Sequence, residues 1–205
     1  MFIERMRMER ENRFFCAPCA HKITPPVGFF IYQEGCEMKE LNYFEQVNRI
    51  TERMAHGGVF LSVAGEKPNT MTIGWGAASY IWNRPVFIAM VRPQRYTHEL
   101  LERTDVFTVS VPTRNLLRAE LAFAGRASGR DGNKFESHGL TAVPALKVPA
   151  PIVGECGLHL ECRILLRQEM SPERLSQEII DYTYKANDEH ELYFGEVLAC
   201  YSTDE

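Results

Sequence analysis

The spacing of apolar residues along the chain predicts three helices. From Asn42 onward, apolar side chains recur every three or four residues until the pair Gly57–Gly58 ends the run. The helices predicted in this way are 42–56, 96–103 and 115–125. Thr97 is the candidate N-cap of the second helix, and the third is expected to end at a glycine.

Most of the other predicted elements are strands, which are recognised as apolar-rich runs of strand length. Six strands are predicted, over residues 59–65, 69–85, 86–91, 106–111, 158–170 and 191–202. A turn at 66–69 joins the first two strands as a hairpin. Because few helices separate the strands and no strict βαβ alternation is present, we expect a mainly β fold with helices (α+β). The expected form is an antiparallel barrel with the helices packed outside.

The stretch 69–85 has an unusual composition for a strand. It mixes small and hydroxyl side chains with Trp75 and Trp82, whereas a strand that only fills a core favours Val, Ile and Leu. Glycines such as Gly74 and Gly76 weaken a strand unless a bulge or a closely approaching ligand needs the space. The sequence therefore predicts that a ligand lies against this strand.

Charge and composition narrow the function classes. The net charge of −4 and the pI near 5.9 argue against a surface for nucleic acid or for an anionic membrane. No apolar run approaches the roughly 20 residues that span a bilayer. The first residues contain acids and no continuous apolar segment, so neither a secretory signal nor a transit peptide is expected, and the cytosol is the expected compartment. Residues 1–37 are interpreted as an N-terminal extension, and 38–205 as the domain.

The cysteine-containing motif CAPCAH lies in this extension. Covalent haem attachment needs Cys-x-x-Cys-His, but Ala20 separates Cys19 from His21. Cys16, Cys19, His21 and Cys36 together could supply four zinc ligands, although their spacing is not a standard one. We favour the interpretation that this N-terminal segment binds no metal. The chain has no HExxH, Walker A, GxGxxG or GxSxG motif, so zinc-protease, phosphate-loop, Rossmann and serine-hydrolase chemistry lose support.

Two basic loops are candidate binding sites for an anionic ligand. Arg92 and Arg95 precede the helix predicted from residue 96, and Arg130 and Lys134 lie in the glycine-rich SGRDGNKF. Guanidinium groups and a helix start both favour phosphate. The alternative for each loop is a solvated surface turn. Taken with the strand 69–85, the loops predict a flat ligand that carries a negative charge.

Three segments together resemble a known family. The run from Asn69, NTMTIGWGAASYIWNRPVFIAMVRPQRYTHELLERTDVFTVSVP, is followed in order by SGRDGNKFESHGLT, ECGLHLECRILLRQEM and HELYFGEVLACY. This pattern is similar to the flavin reductase-like FMN-binding split-barrel family, and most similar to its flavoredoxin branch. The resemblance covers about residue 38 to the C-terminus and leaves out 1–37.

The resemblance implies a six-stranded antiparallel split β-barrel with flanking helices. It also implies a homodimer in which each subunit binds one FMN without a covalent link, near the dimer interface. The implied function is electron transfer or NAD(P)H-dependent reduction, with NAD(P)H or a redox protein as the electron donor. The alternative is a non-catalytic barrel that binds FMN or haem.

The resemblance also assigns roles to residues of this chain. Residues implied to line the flavin ring are Asn69, Thr70, Met71, Thr72 and Trp75. Those implied to hold the phosphate are Arg92, Arg95 and Thr97. Arg130 is a further basic candidate, based on its glycine-rich loop alone. Lys134 is implied to reach the flavin, where a positive charge favours the reduced ring. His190 is implied to lie near the flavin and the nicotinamide, as the candidate catalytic residue.

Overall fold

A computed structural model describes residues 38–184 and 188–203. The interpretation of 1–37 as an extension, and the possible zinc ligands within it, fall outside the described residues. The described part contains two β-sheets and five α-helices.

The larger sheet contains eight strands, and every neighbouring pair is antiparallel. Its strands are β1 (Lys39–Glu40), β2 (Val59–Val63), β3 (Asn69–Ile73), β4 (Gly76–Ile81), β5 (Arg84–Val91), β6 (Val106–Val111), β9 (Leu158–Glu169) and β10 (Glu191–Ser202). They lie in the order β3-β2-β6-β9-β10-β5-β4, and β1 pairs with β10. The smaller sheet pairs β7 (Ala142–Pro144) with β8 (Pro151–Val153).

The predicted mainly β fold with an antiparallel sheet is confirmed. The strand number differs from six for two reasons. The predicted strand 69–85 divides into β3 and β4 at Gly74 and Trp75, and the short β1 adds an eighth strand. Gly76 begins β4 where its pairing with β5 is tight, since a Cβ on Gly76 would overlap the Ile88 carbonyl oxygen.

The two outermost strands of the larger sheet are consecutive in the chain. Only Gly74 and Trp75 separate the end of β3 from the start of β4. Three Cα–Cα steps of 3.8 Å span about 11 Å at most, so the two edges of the sheet must approach each other. The sheet therefore curls into a barrel-like shape, with a split between β3 and β4.

The helices are α1 (Tyr43–Ala55), α2 (Tyr96–Leu101), α3 (Arg118–Arg126), α4 (Lys134–Ser137) and α5 (Gln177–Thr183). The prediction of α1 is confirmed: the Asn42 side chain accepts a hydrogen bond from the Phe44 N–H at 3.0 Å, and Gly57 has a φ of 139° just beyond the helix. In the described residues, no helix is long and apolar enough to cross a bilayer.

Two details of the helix prediction are wrong. Thr97 does not cap α2, because the helix begins at Tyr96 and Thr97 lies within its first turn. The third helix begins later than predicted because Leu117 has a left-handed φ of 44°. It also continues past Gly125, which lies within the helix and faces the Thr72 side chain.

The core fills the space between the curled sheet and α1. Ile50 and Met54 project from α1 into a cluster that contains Phe87, Phe107 and Tyr193. A second cluster, including Phe60 and Leu121, packs between β2 and α3. All five residues of β2 are buried, because the strand is covered on both faces. This explains why its sequence lacks a polar face.

Glu161 is a charged residue in the buried part of the sheet. Its side chain has no exposed surface, and its carboxylate accepts backbone N–H groups from Leu146 and Lys147 at 2.6 Å and from Val148 at 3.0 Å. Three donors satisfy a buried carboxylate well. The charge therefore fixes the loop between β7 and β8 against the sheet.

We expect Glu161→Gln to lower the free energy of unfolding by roughly 2 to 4 kcal/mol, because an amide NH₂ would face backbone N–H donors in a buried place. Urea denaturation measures the change. The matched control is Glu155→Gln, since Glu155 accepts the Thr141 N–H at an exposed position. That variant should lose less than about 1 kcal/mol. Equal losses in the two variants would contradict the role given to Glu161.

Candidate functional site

A cavity of about 230 Å³ opens where β3 leads into β4. It is lined by six of the residues predicted from the sequence, namely Met71, Thr72, Trp75, Arg92, Arg95 and His190. Four further residues complete the lining: Ile73, Gly74, Met90 and Gly125. The split in the sheet thus brings together parts of β3, β5, α3 and the start of β10.

Two cations beside this cavity have no acidic partner among the described residues. Arg95 lines the cavity, and its Nη2 donates only to the Ala124 carbonyl, at 3.5 Å. Lys134 is 4% exposed, and its Nζ donates to the carbonyls of Thr70 at 2.9 Å and Ala124 at 3.1 Å. The Ala124 carbonyl belongs to the last turn of α3, whose partial negative charge favours cations. Two neighbouring positive charges without a carboxylate form a site suited to an anion.

The surroundings affect the pKa of both cations. Burial lowers the pKa of Arg95 below its ordinary value. Burial, and then the positive charge of Arg95, lower the pKa of Lys134 to about 8. Most Lys134 side chains therefore keep their proton at pH 7, at a cost in stability that a bound anion would relieve.

Asn69, at the start of β3, carries an unused buried acceptor. Its Nδ2 donates to the Thr97 hydroxyl at 2.8 Å, whereas its buried Oδ1 has no partner in the described residues. Gly129 packs so closely that a Cβ there would overlap Oδ1. A buried amide oxygen without a donor is costly, so this atom suits an N–H or O–H group of a ligand.

Arg92 differs from Arg95 because its charge is already balanced. Its guanidinium forms an ion pair with Asp188 and donates to the Asp188 carbonyl at 3.2 Å. It also donates to the Thr183 carbonyl at 3.5 Å and lies 5.4 Å from the ring centre of Tyr184. Arg92 thus lines the cavity and also contacts Thr183 and Asp188, which both precede β10 in the chain.

His190 is held at the cavity wall by aromatic neighbours. Its Nδ1 lies 2.8 Å from the Tyr184 hydroxyl, and its ring centre lies 5.2 Å from that of Trp75. Burial, and then the positive charge of Arg92, lower the pKa of His190 to about 4. The imidazole is therefore neutral at pH 7.

The other residues predicted for the site form hydrogen bonds or ion pairs within the protein. The Thr70 hydroxyl accepts from Ser62 at 2.9 Å, and the Thr72 hydroxyl donates to the Leu121 carbonyl at 2.6 Å. Arg130 forms an ion pair with Glu99 and lies over the Tyr96 ring. Arg130 and Asn69 line a second cavity, of about 200 Å³, and not the cavity at the split. The cavity at the split is also not lined by Thr70, Thr97 or Lys134, although Thr97 and Lys134 contact residues of β3.

The sequence did not single out several residues that shape the site. Tyr184 and Asp188 hold His190 and Arg92, and Met90 and Gly125 line the cavity. Tyr184 and Asp188 lie in a polar stretch without periodicity, so no local pattern marks them. The sequence predicts Gly125 as a helix end, and its contact with Thr72 depends on the packing of α3 against β3.

The residues of a second polar cluster form ion pairs within the protein. Groups of His98, Glu102 and Glu191 lie within 4.8 Å of one another, a spacing that could hold a metal ion. However, His98 already contacts Glu191 at 2.6 Å, and the guanidinium of Arg167 lies 3.4 Å from Glu102. His98 and Glu191 are thus already paired with each other, and Glu102 is paired with Arg167.

Known proteins resemble this chain in sequence and in fold. The family model of the flavin reductase like domain matches residues 51–205. An uncharacterized protein of Archaeoglobus fulgidus is 34% identical over 140 residues, which are 68% of each chain.

Two solved structures show the same fold. Flavoredoxin of Desulfovibrio vulgaris (Miyazaki F) superposes with a TM-score of 0.56 and 24% identity, covering 70% of this chain and 67% of that one. An FMN-binding protein from Thermus thermophilus, solved with 1-cyclohex-2-enone, gives a TM-score of 0.54 and 19% identity, covering 70% and 68%. The chain therefore belongs to the flavin reductase like domain family, with its split-barrel fold and a flavin-related electron-transfer or reductase function.

Proposed function

We propose that this protein is a flavoprotein that binds FMN without a covalent link. It uses the flavin for electron transfer or for NAD(P)H-dependent reduction. The observation that carries the proposal is the pair Arg95 and Lys134, two cations without an acidic partner in the described residues, beside a cavity in the split of the barrel. The similarity to flavoredoxin and to an FMN-binding protein supports the same cofactor.

The donors and acceptors of the site fit the chemistry of FMN. The phosphate is a dianion near pH 7, and Arg95 and Lys134 supply the matching charge. The flavin ring carries an N–H group at its polar edge, and Asn69 Oδ1 is a buried acceptor without a donor. When bound, FMN supplies the electron chemistry, and the protein binds and orients it.

Lys134 and Arg92 contribute unequally to the charge of the site, and Trp75 adds an aromatic ring. Lys134 is mostly charged at pH 7, so it favours a ligand that gains negative charge on reduction. Arg92 adds little further charge because Asp188 balances it. Trp75 is 49% exposed at the cavity mouth, where its ring can pack against a flat ligand.

We propose a homodimer in the cytosol as the working form, with NAD(P)H or a redox protein as the electron donor. Exposed aromatic side chains around the edge strand β4 support self-association. Phe44, Trp75, Tyr80 and Trp82 are between 49% and 56% exposed, and the rings of Phe44 and Tyr80 lie 5.7 Å apart. Large exposed apolar groups in one patch are typical of protein interfaces.

The first test is the visible absorption spectrum of the purified protein after FMN is added and free ligand is removed. We expect bands of oxidised flavin to survive desalting, and NADH or NADPH to bleach them under anaerobic conditions. Retained flavin that neither nicotinamide reduces would favour a redox protein as the donor. A protein that retains no FMN would overturn the proposal.

Arg95→Ala should weaken FMN binding by roughly 10- to 100-fold, because a charged hydrogen bond to the phosphate is worth about 1.5–3 kcal/mol. Riboflavin lacks the phosphate, so its affinity should change less than about 3-fold. Arg163→Ala is the control, since Arg163 pairs with Glu196 at an exposed position. Titration of flavin fluorescence measures both ligands. Equal weakening of FMN and riboflavin would exclude a phosphate contact.

The affinity for FMN should fall as the pH rises from 7 to 9. Lys134 loses its proton near pH 8, and an uncharged amine no longer attracts the anion. In Lys134→Met the affinity should be weaker at pH 7 and nearly constant across this range. Isothermal titration calorimetry at several pH values measures the dependence. A wild-type affinity that does not change between pH 7 and 9 would contradict the role of Lys134.

A further inference from the structure

Tyr184 and His190 form a buried pair at the wall of the cavity. Tyr184 is 2% exposed and His190 is 8% exposed, and the tyrosine hydroxyl lies 2.8 Å from Nδ1 of the imidazole. Their rings meet edge to face, with centres 5.6 Å apart. Among the described residues, the Tyr184 hydroxyl has no other side-chain partner, although the backbone N–H of His190 also interacts with it, and Nε2 of His190 has no hydrogen-bond partner.

The direction of this hydrogen bond follows from the partners available. A hydroxyl that accepted from Nδ1–H would leave its own hydrogen buried without an acceptor, which is costly. A hydroxyl that donates to Nδ1 uses that hydrogen and satisfies the imidazole at the same time. Burial also raises the pKa of Tyr184, so the phenol keeps its hydrogen.

We propose that Tyr184 is a positioning residue, whose hydroxyl donates to Nδ1 and holds His190 as the tautomer that carries its hydrogen on Nε2. His190 lines the cavity, and Nδ1 is occupied, so Nε2–H is the group it can offer to a ligand. In this tautomer a neutral imidazole donates a hydrogen bond and cannot accept a proton through Nε2. His190 is then a fixed donor rather than a general base.

Arg92 holds the segment that carries this pair. It binds the Thr183 carbonyl on one side of Tyr184 and both the carboxylate and the carbonyl of Asp188 on the other. Gln94 adds a second donor to the Asp188 carboxylate at 3.1 Å. Arg92 thus links Thr183, next to Tyr184, with Asp188, which lies two residues before His190.

This inference rests on the proposed function only for the ligand that receives the hydrogen bond. With a flavin in the cavity, the Nε2–H group of His190 would meet an acceptor on the flavin or on its electron donor. The tautomer and the positioning by Tyr184 are properties of the protein without ligand, so they are tested separately from FMN binding.

The tautomer is measured by long-range ¹H–¹⁵N correlation spectra of protein labelled with ¹⁵N-histidine, at pH 7 and without added flavin. His190→Gln identifies the signals of His190 among those of the six histidines. We expect wild-type His190 to be neutral with its hydrogen on Nε2. Tyr184→Phe should give a mixture of tautomers, because the donor is lost while the ring remains.

The control is Tyr182→Phe, since Tyr182 is 86% exposed on the neighbouring helix α5. It should leave the His190 signals unchanged. A hydrogen on Nδ1 or a protonated imidazole in the wild type would overturn the proposal even if Tyr184→Phe does not fold. An unchanged His190 spectrum in Tyr184→Phe would overturn it as well.

Hydrogen exchange tests the part played by Arg92. Asp188→Asn removes the carboxylate that pairs with Arg92, and we expect amide exchange at residues 183, 184 and 188–190 to become at least several-fold faster. Asp181→Asn is the matched control, because Asp181 is an exposed acid that accepts from Gln177 at 2.8 Å. Equal exchange in the two variants would show that the ion pair does not hold the segment.

Discussion

The two-residue connection between β3 and β4 is the constraint on which the rest of the structure depends. It joins the opposite edges of a seven-strand path, so the sheet can form only if it curls. The curl encloses the core around Phe87 and Phe107. It also leaves a split at Gly74 and Trp75, and the cavity lies there.

The two cations beside this split lower the stability of the folded protein. Arg95 and Lys134 lie next to each other without an acid among the described residues, and burial together with the charge of Arg95 lowers the pKa of Lys134. The carbonyl at the end of α3 offsets part of that cost, because both cations donate to Ala124. A protein that needed only stability would place a carboxylate there, so the uncompensated charge supports the proposed binding of an anion.

The sequence predicted most of the fold because its signals are local. The period of α1, the glycines after it and the apolar runs of β6 and β10 depend on neighbouring residues, and the observed bounds agree with the prediction. The break within 69–85 was missed because it depends on closure of the sheet. The start of α3 was misplaced because a left-handed Leu117 has no sequence signature.

The sequence also predicted part of the site, since six predicted residues line one cavity. It did not predict the roles of Asp188 and Tyr184. Asp188 pairs with Arg92 across more than 90 residues, and no known motif marks the hydrogen bond between Tyr184 and His190.

The two arginines of the RPQR sequence show why residue type alone does not assign a role. Both line the same cavity, three positions apart, and the sequence gives no reason to separate them. Asp188 lies against Arg92 and balances its charge, whereas no acid among the described residues reaches Arg95. An arginine with a balancing carboxylate is held in place and can hold a segment in turn, and one without it attracts an anion. The placement of a single acid shortly before β10 thus separates an arginine that holds a segment from one that is proposed to bind an anion.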